Sequence, residues 1–116
     1  EDLDLWIRVL AAGHRPSFSS VATFNYRKHP TSATANSADF AEGMAALFSK
    51  YLKNPIVDQR LCRFELAESL ATAARMNWQT HPRRSLKAAQ QLVRLQRWLP
   101  RSWIYLARAK WAAARG

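Results

Sequence analysis

Residues 83–115, RRSLKAAQQLVRLQRWLPRSWIYLARAKWAAAR, carry the pattern that decides the fold of this chain. Polar side chains recur there every three or four residues and form one stripe: Arg83, Lys87, Gln90, Arg94, Arg97 and Arg101. An apolar stripe opposes it and consists of Ala88, Leu92, Leu95 and Leu99. This spacing is typical of amphipathic helices. It predicts one helix over about 83–99 and, opened by Pro100, another that ends at Gly116, together a helical hairpin.

Helical periodicity also extends toward the N-terminus. Ser37 is a suitable cap for a helix of roughly fifteen residues that ends before Asn54-Pro55. Another long helix is expected from about Ile56 to Met76, and His81-Pro82 separates it from the hairpin. The fold class is therefore mainly α, with residues 38–116 forming a bundle of about four helices.

Composition agrees with a small helical protein. The 116 residues include 3 glycines and 5 prolines, and 48% of the residues are apolar. A single cysteine, Cys62, excludes an intrachain disulfide framework and a cysteine-based zinc knuckle. Because Cys62 lies among apolar residues of a helical pattern, we interpret it as a buried structural thiol, compatible with a reducing cytoplasmic compartment.

The formal net charge of +10 is concentrated in the last part of the chain. Every acidic residue lies at or before Glu68, whereas ten of the 18 basic residues follow it. Such a tail attracts phosphate-bearing surfaces. One interpretation is a helical hairpin with basic side chains in water; a sharper hypothesis is a peripheral membrane contact through residues 83–115. Nucleic acid is the least favoured partner, because no recognised module or base-reading motif accompanies the charge.

The N-terminal residues predict a short acidic helix over residues 2–12. Apolar residues recur there at helical spacing, Glu1, Asp2 and Asp4 lie at its start, and Gly13 stops it. Taken alone, these acids need do no more than offset the helix dipole, at about 0.3–1 kcal/mol each. Residues 15–28 are rich in β-branched and aromatic side chains and predict one or two extended segments.

Two motifs in this part occur in a specific order. Residues 1–8 read E-D-x-D-L-W-x-R, and Tyr26-Arg27-Lys28-His29-Pro30 follows before a loop rich in Ser and Thr. Together they resemble the family-2 glycosyltransferases of the GT-A fold. The resemblance covers residues 1–37, and it implies that these are the C-terminal part, a remnant, of an α/β catalytic domain. Residues 38–116 would then be a helical extension.

The resemblance also implies an activity, namely inverting transfer of a sugar from a nucleotide-sugar donor to a hydroxyl of a glycan or lipid-linked acceptor. Cell-surface polysaccharide or glycolipid synthesis is the expected process, in the cytoplasm at the inner face of the membrane. Asp2 would be the general base, and Glu1 would position Asp2 or the acceptor. Asp4 is expected to pair with Arg8, four residues on, and Trp6 to form part of the acceptor side of the cleft.

The second motif implies donor binding. Arg27 and Lys28 would stabilise the leaving nucleoside diphosphate through charge-assisted hydrogen bonds. His29 would contact the same phosphates or act as a ligand of a divalent cation, Mg²⁺ or Mn²⁺, which the resemblance implies for the intact enzyme.

One part of the family's pattern is missing from residues 1–116. The nucleotide-binding βα units and the D-x-D-type metal motif do not occur in them, so we expect this chain alone to transfer nothing. Two other functions remain open. One is a small basic helical binding module for nucleic acid or an acidic partner; the other is a structural helical domain whose acids serve only as helix caps.

Overall fold

A computed structural model of the chain describes residues 2–21 and 38–115. These residues contain five helices, α1 (Asp2–Ala11), α2 (Ala38–Tyr51), α3 (Gln59–Asn77), α4 (Pro82–Leu95) and α5 (Pro100–Ala113). No strand occurs in this part of the chain. The prediction of a mainly helical fold, with a bundle of about four helices after residue 37, is confirmed.

Contacts divide the chain into two compact units, Glu1–Ala35 and Asn36–Gly116. The first contains α1, and the second contains α2 to α5. Of the residues expected to be extended, 15–21 have no regular secondary structure, and 22–28 lie outside the described residues. The interpretation of the two parts as a catalytic remnant and a helical extension stays a prediction.

The second unit is organised around α3, which packs against α2, α4 and α5, while α4 and α5 pack against each other. This α4–α5 pair is the predicted hairpin. Nine of the sixteen buried apolar residues in the described part of the chain are alanines: Ala41, Ala45, Ala67, Ala71, Ala73, Ala74, Ala88, Ala89 and Ala109. Small side chains allow the helix axes to approach closely. Leu66, Leu70, Leu92 and Leu106 fill the remaining space, and each contributes about 1.5–3 kcal/mol when fully buried.

The start of α3 is set by Asp58. Its Oδ1 accepts hydrogen bonds from the backbone N–H groups of Arg60, at 2.8 Å, and Leu61, at 3.2 Å. An Asp in this position satisfies backbone donors that have no partner within the helix. The helix therefore begins at Gln59, three residues later than the start near Ile56 that periodicity predicted.

The end of α4 corrects another prediction. The helix stops at Leu95 and not near Leu99, and the Gln96 N–H donates to the Leu92 carbonyl oxygen at 2.8 Å. Leu99 has φ −91° and ψ 121°, the extended conformation that a following proline favours. As a result the predicted polar stripe is broken, because Arg97 lies in the connection between the helices and Arg101 lies on α5.

Candidate functional site

The structure describes the predicted base Asp2 and the predicted acceptor-side residue Trp6, and both lie on α1. Asp2 occupies its first position and is exposed to solvent. Asp4 pairs with Arg8 across one helical turn, with 3.3 Å between Asp4 Oδ2 and Arg8 Nε, as the spacing predicted. Gly13, with φ +87°, follows the helix in a conformation that glycine adopts without steric cost. Arg8, the basic residue in the last turn of α1, thus contacts Asp4.

Trp6 lies one turn after Asp2, so the two side chains share a face of α1. The indole is 59% exposed, and α1 has no buried residue. Leu3, Leu5 and Leu10 are exposed as well. An aromatic surface next to a carboxylate is a chemically suitable place for a sugar, because sugar rings present C–H groups to aromatic faces and hydroxyl groups to carboxylates.

The remaining predicted site residues are Glu1, Arg27, Lys28 and His29, and all four lie outside the described residues. Their roles stay predictions. Within residues 2–21 and 38–115, no group of three or more His, Cys, Asp or Glu side chains could hold a metal ion.

A groove of about 450 Å³ lies between α2 and α4, with Leu70 and Ala73 of α3 among its lining residues. At its edge Arg84 donates hydrogen bonds to both carboxylate oxygens of Glu42, from Nε at 3.0 Å and from Nη2 at 2.9 Å, and also to Asp39. These carboxylates raise the pKa of Arg84 above its ordinary value. Arg84 therefore joins α4 to α2 through two carboxylates of α2.

Cys62 is buried, as predicted, at 1% exposure, and its thiol donates to the Phe48 carbonyl oxygen at 3.3 Å. Burial raises the pKa of this thiol. The thiolate is the nucleophilic form of cysteine, so this environment suits a structural role.

The basic residues after Glu68 are distributed over two helices and the connection between them. Arg83, Lys87, Gln90 and Arg94 are exposed along α4, and Ala88 and Leu92 on its other side are buried, as predicted. Arg84 pairs with acids of α2, and Arg101 pairs with Glu68 of α3. The other basic residues of this set are Arg75, Arg83, Lys87, Arg94, Arg97, Arg108, Lys110 and Arg115.

One surface was missed by sequence reasoning. The predicted hairpin implies that apolar residues of the last helix pack against α4, but only Leu106 of its large aliphatic and tryptophan side chains is buried. Trp103, Ile104 and Trp111 are 52%, 58% and 53% exposed. The spacing itself indicates this surface. At 100° per residue, Ile104 and Trp111 lie about half a turn, and Trp103 about a quarter turn, from the buried residues Ser102, Leu106 and Ala109.

Comparison of the chain with family models, with curated proteins and with solved structures finds no match. Across the part of the chain that the structure describes, no helix combines the length and the apolar composition required to cross a lipid bilayer.

Proposed function

We propose that this chain is the C-terminal part of an inverting glycosyltransferase, in which α1 carries the acceptor-side base. The two motifs of residues 1–37 support the proposal, as does the formation of the predicted helix α1, which starts at Asp2 as expected and ends at Ala11, and of the predicted Asp4–Arg8 ion pair. In this proposal the nucleotide-binding part lies outside residues 1–116. The enzyme works in the cytoplasm at the inner face of the membrane, on a glycan or lipid-linked acceptor.

The observation that carries the proposal is the different environment of the two carboxylates in the first turn of α1, Asp2 and Asp4. Asp4 is half-buried and engages Arg8, which leaves the helix start with a second, exposed carboxylate at Asp2. A general base must be ionised at neutral pH and must approach the acceptor hydroxyl to about 2.6–3.2 Å. The exposure of Asp2 at the start of α1, beside an exposed tryptophan, permits that approach.

The proposed reaction is the one that the family resemblance implies. Asp2 accepts the proton of the acceptor hydroxyl while that oxygen attacks the anomeric carbon of the donor. The bond between the anomeric carbon and the nucleoside diphosphate breaks, and the diphosphate leaves with the bonding electron pair. Attack opposite the leaving group inverts the anomeric centre. Trp6 would hold the acceptor ring against α1, so that the hydroxyl is oriented before the reaction begins.

The second motif would act on the leaving group. Arg27, Lys28 and His29 are proposed to donate hydrogen bonds to the diphosphate, whose oxygens gain charge as the bond breaks. A divalent cation, when bound, would supply further positive charge to the same oxygens. His29 would hold either the phosphates or that cation.

The proposal is tested by the stereochemistry of the product. The intact enzyme would be incubated with a panel of uridine, guanosine and thymidine diphosphate sugars and with lipid-linked and free glycan acceptors. Release of the nucleoside diphosphate would identify the donor, and the proton coupling constant at the new anomeric centre would give its configuration. We expect the configuration opposite to that of the donor. Retention would overturn the assignment of Asp2 as base, and absence of transfer with every donor would overturn the enzyme proposal.

A small basic helical binding module is the second candidate function, and one observation favours it. Beyond Glu68 the described chain has no carboxylate side chain, and only Arg84 and Arg101 of its basic residues pair with acids of the described residues. Titration of the full chain into fluorescently labelled RNA and DNA duplexes would test it. Binding whose affinity falls steeply with added salt would support the module.

A further inference from the structure

The outer side of α5 is apolar, although the helix already buries an apolar side in the bundle. Ser102, Leu106 and Ala109 face the core, whereas Trp103, Ile104, Ala107 and Trp111 are exposed. At 100° per residue, Ile104, Ala107 and Trp111 lie close together and opposite the buried side, with Trp103 adjacent. We name Trp103, Ile104, Ala107 and Trp111 the outer stripe. A helix of the bundle therefore carries a second apolar side that the described residues do not cover.

The connection between α4 and α5 adjoins this stripe. The Trp103 Nε1–H donates a hydrogen bond to the Arg97 carbonyl oxygen at 2.8 Å, which fixes the indole against the connection. Trp98, next in the chain, is 82% exposed, and the guanidinium of Arg97 lies 4.8 Å from the centre of its ring. Leu99 is exposed as well. The connection thus adds two large apolar side chains beside the first turn of α5.

Positive charge borders the outer stripe on both sides. Lys110 lies next to it on one side of α5, and Arg108 and Arg115 lie on the other. Two of these guanidinium groups rest on indole rings, Arg108 on Trp78 at 4.6 Å and Arg115 on Trp111 at 3.7 Å. No acidic residue occurs in α5 or in the connection before it. An apolar strip between cationic margins is the chemical pattern of a helix that lies in the interface of an anionic membrane.

We propose that the outer stripe of α5, together with Trp98 and Leu99, docks the protein on the surface of an anionic lipid bilayer. The indoles and Ile104 enter the boundary between headgroups and acyl chains, and the flanking cations contact lipid phosphates. The cations that border the outer stripe favour an anionic surface. The aliphatic side chains of Ile104 and Leu99 favour lipid over nucleic acid as the bound surface. Single-stranded nucleic acid is bound by aromatic stacking in a basic groove, to which Ile104 and Leu99 would contribute little. This proposal is independent of Asp2 and of the catalytic proposal.

The apolar contribution is tested by co-sedimentation of the full chain with vesicles. The vesicles would be phosphatidylcholine alone or phosphatidylcholine mixed with phosphatidylglycerol. The test variant is Trp103→Gln with Ile104→Gln, and the matched control is Leu61→Gln with Phe64→Gln, an equally exposed apolar pair on α3. We expect the test variant to weaken partitioning into the anionic vesicles by about tenfold or more, and the control to leave it within about twofold. Circular dichroism would verify that both variants are helical.

The electrostatic contribution has its own pair of variants. Arg108→Gln with Lys110→Gln removes two cations that border the stripe, and Arg60→Gln with Arg63→Gln removes two exposed cations of α3. The first pair should weaken binding to anionic vesicles by about tenfold, and the second should have a smaller effect. Equal recovery of the wild-type chain with both kinds of vesicle at low salt would overturn the proposal. Equal losses for test and control variants would overturn it as well, as would duplex nucleic acid binding without vesicle binding.

Discussion

Asn77 on α3 and Glu42 on α2 are joined by a hydrogen bond of 2.7 Å from Asn77 Nδ2 to Glu42 Oε1. Asn77 is fully buried, and the same Glu42 carboxylate accepts hydrogen bonds from Arg84 on α4. One carboxylate therefore connects three helices of the bundle. A hydrogen bond to a charged group contributes about 1.5–3 kcal/mol net, more than a neutral pair does.

Asn77→Ala should lower the free energy of unfolding by about 1–3 kcal/mol, because the variant loses a buried hydrogen bond to a carboxylate. Urea unfolding followed by circular dichroism would measure the change. Gln79→Ala is the control, since Gln79 is exposed two residues later, and its effect should stay within about 0.5 kcal/mol. Equal stability of the two variants would contradict the role assigned to Asn77.

Ala67→Leu should destabilise the bundle by about 1–3 kcal/mol, because Ala67 is fully buried on α3 and a larger side chain would force the helices apart. Ala107→Leu is the matched control on the exposed side of α5. The same unfolding experiment applies. If the free energy of unfolding of Ala67→Leu were equal to or higher than that of the wild type, the helices around Ala67 would not be closely packed.

Cys62 predicts a pH dependence of stability. Burial raises the pKa of its thiol above the ordinary value of 9.0, so between the two values the unfolded chain loses a proton that the folded chain retains. The thiol's contribution is thus fully present below the ordinary value and is lost as the pH rises through the folded one. The free energy of unfolding of the wild type should fall relative to that of Cys62→Ala as the pH rises above about 9. Parallel curves for the two proteins would contradict a raised pKa.

The presence of each helix could be predicted from the sequence. The ends of the helices could be predicted only where a residue such as proline or glycine restricts the backbone. Pro100 fixed the start of α5 and Gly13 the end of α1, because each restricts the backbone directly. Periodicity extended α4 through Leu99, although the residue before a proline disfavours the helical conformation. The start of α3 depends on the side-chain cap of Asp58, which apolar spacing does not indicate.

The core is harder to predict, because the largest apolar side chains of α2 and α3 do not all face it. Phe40, Leu61 and Phe64 lie in the predicted helices, yet all three are exposed. The contacts of α3 with three other helices leave room mainly for alanine, a residue that periodicity arguments treat as neutral. In the candidate site, the i,i+4 spacing predicted the Asp4–Arg8 pair, whereas the outer stripe of α5 was assigned to the hairpin interior.

The catalytic proposal depends on Asp2 acting as a base and not only as a favourable charge at a helix start. Its most direct test compares nucleoside diphosphate release by the intact enzyme carrying Asp2→Asn with release by the enzyme carrying Asp4→Asn. Both substitutions remove one negative charge from the same helical turn, but only the first removes the proton acceptor. We expect Asp2→Asn to reduce turnover by about 10²–10⁴-fold, and Asp4→Asn to reduce it by less than about tenfold. Similar turnover in the two variants would contradict the proposal.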